Sequence, residues 1–272
     1  MIIWIASYPK SGNTWIRSLV SSYLYSNNGE FNFDMLRKIP KFTQTKYFSS
    51  VANLEKLKKN PIKINEYWKD AQLKINLDKE IKFFKTHNAC VSYNNNWFTD
   101  EINTAGYIYI VRDPRAVACS LAAHSTYTID KSVDELLEDS TIGFNGKYRL
   151  AEISSSWKIN YLSWKKKKKF KGLVIKYEDL VNNTPNEFKK ILIFLKEKIN
   201  IEIEEKKILK CVDSCKFSNL TKMEDLNGFI ESTTNKFFRK GKIDSWKNDL
   251  NEDLRKKIEV NFKDEMLELG YI

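Results

Sequence analysis

Apolar residues along the chain follow two recurring patterns. The first is a short continuous run, seen in "MIIWIASY" (1–8), "IKFFKTH" (81–87), "GYIYIVRDP" (106–114) and "GLVIKYEDL" (172–180). Runs of this length predict strands buried on both faces, as in a parallel sheet. The second pattern has helical spacing. Trp15, Ile16, Leu19, Val20, Tyr23 and Leu24 predict a helix from about Asn13 to Tyr25. "NEFKKILIFLKEK" (186–198) and "NEDLRKKIEVNFKDEMLEL" (251–269) predict two more. Asp113 and Pro114 supply an N-cap and a first-turn proline for a helix starting at "PRAVACSLAAHS". Strands alternating with helices predict an α/β fold, a central parallel sheet flanked by helices. No internal repeat or proline-rich linker divides the chain, so residues 1–272 read as one domain.

Composition narrows the class. With 42 % hydrophobic and 30 % charged residues, the 272-residue chain has globular proportions, not disordered or membrane ones. A net charge of +11 fits an anionic partner or equally a lysine-coated surface. The run Lys165–Lys169 follows Trp157, Tyr161 and Trp164 on a predicted helix, where it complements the C-terminal dipole and stays solvated. A nucleic-acid groove needs aromatics interleaved with the basic residues, so no nucleic-acid partner is expected. Cys90, Cys119, Cys211 and Cys215 show no metal-ligand spacing and read as free thiols of a reducing compartment. No apolar stretch is long enough to span a bilayer, and the first strand leaves no room for a signal peptide. A cytoplasmic location is expected.

The chemistry-bearing segments lie where such strands end. "SYPKSGNTWIR" (7–17) is a strand end, a glycine loop and a first helical turn, the arrangement that presents free backbone N–H groups to a phosphate. Gly12 permits close approach, Lys10 adds a cation, and Ser11 and Thr14 add hydroxyl donors. Trp15 offers a face for a nucleobase or belongs to the core. The lysine precedes the glycine, which disfavours the nucleotide loop of ATPases and kinases. Arg112 ends a strand, with Ser120 two helical turns on; it is an anion grip or an ordinary strand-end arginine. Phe237, Phe238, Arg239, Lys240 and Gly241 make a further cationic loop. "KTH" supplies Lys85 and His87; His124 is the other histidine of the chain and reads as structural. His87 is the leading candidate for a general base.

In order, "YPKSGNTW", "KTH", "VRDPRAVACS", "YEDL" and "FFRKG…WKN" resemble the signature of the sulfotransferases that use PAPS (phosphoadenosyl phosphosulfate). The resemblance implies a P-loop-like fold in which Lys10, Ser11, Gly12, Asn13 and Thr14 wrap the 5′-phosphosulfate and Trp15 stacks on adenine. Animal cytosolic members usually have threonine where this chain has Asn13. Arg112, Ser120, Arg239, Lys240 and Gly241 are implied at the 3′-phosphate, with Tyr177, Phe237 and Phe238 beside the nucleotide. Either Ser214 or Cys215 is implied at the adenine. His87 is the implied base for an acceptor hydroxyl or amine, and Lys10 and Lys85 neutralise charge without a metal. The acceptor is a small molecule, glycan or lipid, held by segments 26–80 and 125–155, where aromatics such as Phe42, Phe48 and Trp68 offer platforms. A P-loop kinase of a small metabolite and a non-catalytic binder of polyanions are the alternatives.

Overall fold

A computed structural model of the chain describes residues 1–125, 127–143, 150–232, 236–238, 241 and 243–272. Four strands, β1 (Ile2–Ser7), β2 (Lys82–Thr86), β3 (Thr104–Val111) and β4 (Gly172–Lys176), pair in parallel in the order β2-β1-β3-β4. All six residues of β1 are buried, which is why its sequence does not alternate. Its side chains nevertheless divide between two cores. Ile2, Trp4 and Ala6 join Tyr107 and Tyr109 on one face, while Ile3 and Ile5 join Ile108 and Ile110 on the other.

Helices cover both faces. On the Ile3 face lie α1 (Asn13–Tyr25), and from farther along the chain the helix Thr184–Lys196, through Phe188, Ile191 and Leu192. On the Trp4 face lie α2 (Pro114–Ser125), α3 (Ile129–Leu137) and α4 (Trp157–Lys165). Asp113 caps α2 as its sequence predicts: Oδ1 accepts the Arg115 N–H at 2.9 Å. The lysines after α4 remain at the surface, Lys169 reaching Glu101 at 3.0 Å.

Two predicted elements differ. The strand expected over 172–180 stops at Lys176, and "YEDL" opens a short helix, α5 (Tyr177–Asn182). Glu178 and Asp179 fall in its first turn, where acids complement the helix dipole. The helix expected over 251–269 is interrupted at Phe262, whose backbone leaves helical values (φ −114, ψ 22) while its ring packs 5.0 Å from Trp157.

Register positions the site. Ala6 pairs with Thr86, Ser7 with Ile110, and Val111 with Lys176. Residues that follow each strand, Tyr8 to Gly12, His87, Arg112 and Tyr177, therefore emerge along one edge. Strand order reverses around β1, the place where open α/β sheets form a ligand crevice.

Candidate active site

The β1–α1 loop holds its shape through left-handed backbone at Lys10 (φ 65) and Gly12 (φ 100). A Cβ on Gly12 would lie 2.5 Å from Tyr177 Cδ2, so a side chain there has neither the conformation nor the room. Arg112 Nη1 donates to Lys10 O at 3.1 Å, and its guanidinium lies 4.3 Å over the Tyr177 ring. Trp15 meets the edge of that ring at 5.8 Å and donates Nε1–H to Cys215 O at 3.0 Å. Loop, strand end and α5 thus brace one another. The Ser214 hydroxyl is occupied elsewhere, accepting the Phe31 N–H at 2.8 Å.

Asn13 turns away from the loop's open side. Its Nδ2 donates to Ile5 O at 3.0 Å and Ser7 Oγ at 3.2 Å, clamping α1 to the end of β1. What Asn13 offers a ligand is its backbone N–H. Ser11 is fully buried, and its hydroxyl has no hydrogen-bond partner among the described residues. An orphan hydroxyl and a Cβ-free cradle at a helix N-terminus fit a phosphate group.

A cavity of 590 Å³ opens over this edge. Of the residues singled out in the sequence, Lys10, Gly12, Asn13, Thr14, Trp15, Lys85, His87, Arg112, Ser120, Tyr177, Phe237, Phe238 and Gly241 all line it. Ser11 lies behind its wall, and Arg239 and Lys240 fall outside the described residues. Phe237 carries the Lys10 ammonium 4.4 Å above its ring. Phe238 is as much core as wall, buried and stacked on Phe33 at 6.1 Å. Gly241 has φ +59, and a Cβ there would meet Phe217 Cδ2 at 2.7 Å.

His87 is held by its inner nitrogen. Nδ1 lies 2.8 Å from Ser7 O. A carbonyl only accepts, so Nδ1 carries the proton and Nε2 keeps its lone pair. Burial, and then the Lys85 ammonium, push the imidazole down to about 3, so it is neutral at neutral pH. Its backbone N–H donates to Glu152 Oε1 at 2.9 Å, and Glu152 Oε2 pairs with Lys41 Nζ at 2.5 Å. Burial brings Lys85 down to about 8, against the opposing pull of Glu231 at 2.9 Å. Burial also works to raise the Glu231 carboxyl, but Arg17 and Lys85 outweigh it and hold it well below the usual range.

Four residues of this network carry no motif. Lys41, Glu152 and Glu231 line the cavity. Glu224 accepts from Ser232 Oγ, Phe237 N and Phe238 N at 2.5, 2.7 and 2.9 Å, tying both ends of the 232–238 segment. The acceptor segments also differ from expectation. From 26–80, Lys41 alone among the described residues reaches this cavity, while Phe42, Phe48 and Trp68 pack in the core beside Trp4. From 125–155, Tyr127 and Ile142 reach it together with the polar residues Glu135, Thr141, Glu152 and Ser154.

Comparison with known proteins identifies the fold and the family. A solved structure of retinol dehydratase in complex with androsterone and inactive cofactor PAP superposes with a TM-score of 0.65 at 19 % identity. That match covers 97 % of this chain and 80 % of the other, and shows a shared fold. Sulfotransferase 1B1 of Canis lupus familiaris is 27 % identical over 276 residues, covering 97 % of this chain and 83 % of the relative. Cytosolic sulfotransferase 12 of Arabidopsis thaliana is 27 % identical over 271 residues, covering 94 % and 74 %. The model of the sulfotransferase domain matches residues 2–270, and the chain belongs to the sulfotransferase family.

Proposed function

We propose that the protein moves a sulfuryl group from PAPS to a hydroxyl or amine of a small polar acceptor, with His87 as general base. The observation that carries this reading is His87 itself. Its Nδ1–H is fixed on Ser7 O, leaving Nε2 with its lone pair on a residue that lines the same cavity as Lys10 and Lys85. When bound, PAPS supplies an activated S–O bond to its phosphate. The β1–α1 loop holds the 5′ end through backbone N–H groups, and Arg112 with Ser120 holds the 3′-phosphate. His87 Nε2 takes the acceptor proton as the new bond to sulfur forms. Lys10 meets the charge gathering on the phosphate oxygen that departs, and Lys85 neutralises the sulfuryl oxygens.

Lys41, Glu135, Thr141, Glu152 and Ser154 offer hydrogen-bonding groups to a polar acceptor, beside Tyr127 and Ile142 on the same wall. A neighbour crystallised with androsterone is a different case, because its ligand is a steroid. The test is incubation with PAPS and an acceptor library, reading the mass gain of a sulfuryl group. Magnesium-dependent turnover of ATP without PAPS turnover would overturn the reading in favour of a kinase, and salt-sensitive polyanion binding without any turnover in favour of a binder.

A further inference from the structure

The Glu231 carboxylate has two oxygens with different surroundings. Oε1 accepts from Arg17 Nη1 at 2.7 Å. Oε2 accepts from Lys85 Nζ at 2.9 Å and from Thr14 Oγ1 at 3.4 Å. Arg17 is anchored independently, donating Nε to Ile39 O at 3.1 Å and Nη2 to Leu36 O at 3.2 Å. It is buried and stands outside the cavity lining, whereas Lys85, Thr14 and Glu231 all belong to it. One oxygen thus rests on a fixed guanidinium, and the other consumes two donors on the ligand side.

We propose that Glu231 is a positioning residue that stands in for the donor's sulfonate. In the free protein its Oε2 fills the subsite of Lys85 and Thr14, and an arriving sulfonate takes that subsite as Glu231 withdraws toward Arg17. The inference rests on the reading of this cavity as a sulfuryl-donor site.

The shared donors, not the net charge, call for a one-for-one exchange. Arg17, Lys85 and Lys41 stand against Glu231 and Glu152, three cations to two carboxylates, but Lys85 and Thr14 both serve the one Oε2. A sulfonate beside an unmoved Glu231 places two anions at hydrogen-bonding range in a buried site. Withdrawal of Glu231 with no ligand leaves Lys85 buried and unpaired, which is costly. Each state needs one anion on Lys85, and either the carboxylate or the ligand provides it. The preceding helix, Phe217–Asn227, ends at Gly228 (φ +68), where an added Cβ would meet nothing within 4 Å. Ile230 is 85 % exposed, so the turn is held by Phe229 in the core and by Ser232 on Glu224. Lys85 also has Lys41 and Arg17 as neighbouring cations and His87 nearby, so an anion on it keeps it protonated in both states.

Glu231→Gln tests this, with Glu231→Ala as a second variant that leaves Arg17 its two carbonyl partners. PAPS affinity is measured by calorimetry at about pH 6 in buffers of different ionisation enthalpy, so that any proton Lys85 takes up on binding is counted. Removing the competing charge is expected to tighten binding by about tenfold or more. Unchanged or weaker binding in both folded variants would show a permanent support for Lys85 and overturn the proposal. Inorganic sulfate, compared with chloride at equal ionic strength, reads the subsite without the nucleotide. A larger sulfate-specific rise in melting temperature in the variants is expected, and no gain there overturns the proposal as well. A sulfate gain in variants that, like the wild type, bind no PAPS would uphold the stand-in and refute the donor assignment instead.

Discussion

Replacing His87 by alanine separates chemistry, binding and stability in one variant. The imidazole Nδ1–H donates to Ser7 O at 2.8 Å, with Ser7 Oγ beside it at 3.2 Å, a shared contact worth about 1 kcal/mol net. The Glu152 contact is made by the His87 backbone N–H and survives the change. At pH 7 the variant is therefore expected to unfold about 1 kcal/mol more easily. Acid reverses the order. His87 is lowered from 6.5 to about 3 in the folded chain, so between those values the unfolded chain binds a proton that the folded chain refuses. A depressed folded value means that stability falls as pH drops below 6.5, by about 1.4 kcal/mol per unit. At pH 5 this amounts to about 2 kcal/mol, present in the wild type and absent in the variant. The variant becomes the more stable protein by about 1 kcal/mol. Urea unfolding of both proteins at the two pH values measures the crossing, and groups common to both cancel in the difference. Turnover is expected to fall by about 10²–10⁴-fold, while affinity for PAP stays within about threefold. Turnover close to wild type refutes the base assignment. Parallel stability curves refute the account of a neutral buried imidazole.

Lys10→Ala is expected to lower kcat by about 10²-fold while changing PAP affinity far less, because its charge matters most on the departing oxygen; single-turnover kinetics separate the two. Arg112→Ala removes the guanidinium over Tyr177 and the bond to Lys10 O. Preference for PAP over adenosine 5′-phosphate should fall by about 10–100-fold, the worth of a charged hydrogen bond, and equal preference before and after the change refutes the 3′-phosphate assignment. Gly12→Ala combines φ 100 with a 2.5 Å approach to Tyr177. A loss of about 1–3 kcal/mol in unfolding free energy is expected, with weakened PAP binding.

The strand-end wall of the cavity was legible in the sequence because its residues sit at strand ends, and strand ends are set by local pattern. "MIIWIASY", "IKFFKTH" and "GYIYIVRDP" place Lys10, His87 and Arg112 at the carboxyl edge of a parallel sheet before any contact is known. Sequence alone could not settle how Asn13 is used. A polar side chain after a loop glycine is equally suited to a ligand or to the strand behind it, and here it bonds Ile5 O and Ser7 Oγ. Glu231 was illegible for a deeper reason. Its partners Arg17 and Lys85 lie 214 and 146 residues away, and nothing in "GFIESTT" distinguishes a buried glutamate from a solvated one. The aromatic residues of 26–80 misled in the opposite direction. An aromatic ring has the same composition signal as pocket wall or as core, and Phe42 and Trp68 went to the core because Trp4 and Phe98 offered a closely packed cluster there. From 26–80 only Lys41 reached the cavity, paired with Glu152, a charged contact that aromatic composition did not foreshadow. The two halves of the cavity are therefore built on different logic. The strand-end wall follows from backbone topology and reads from motifs, whereas the wall of Lys41, Glu152 and Glu231 follows from long-range charge pairing, which motifs do not encode.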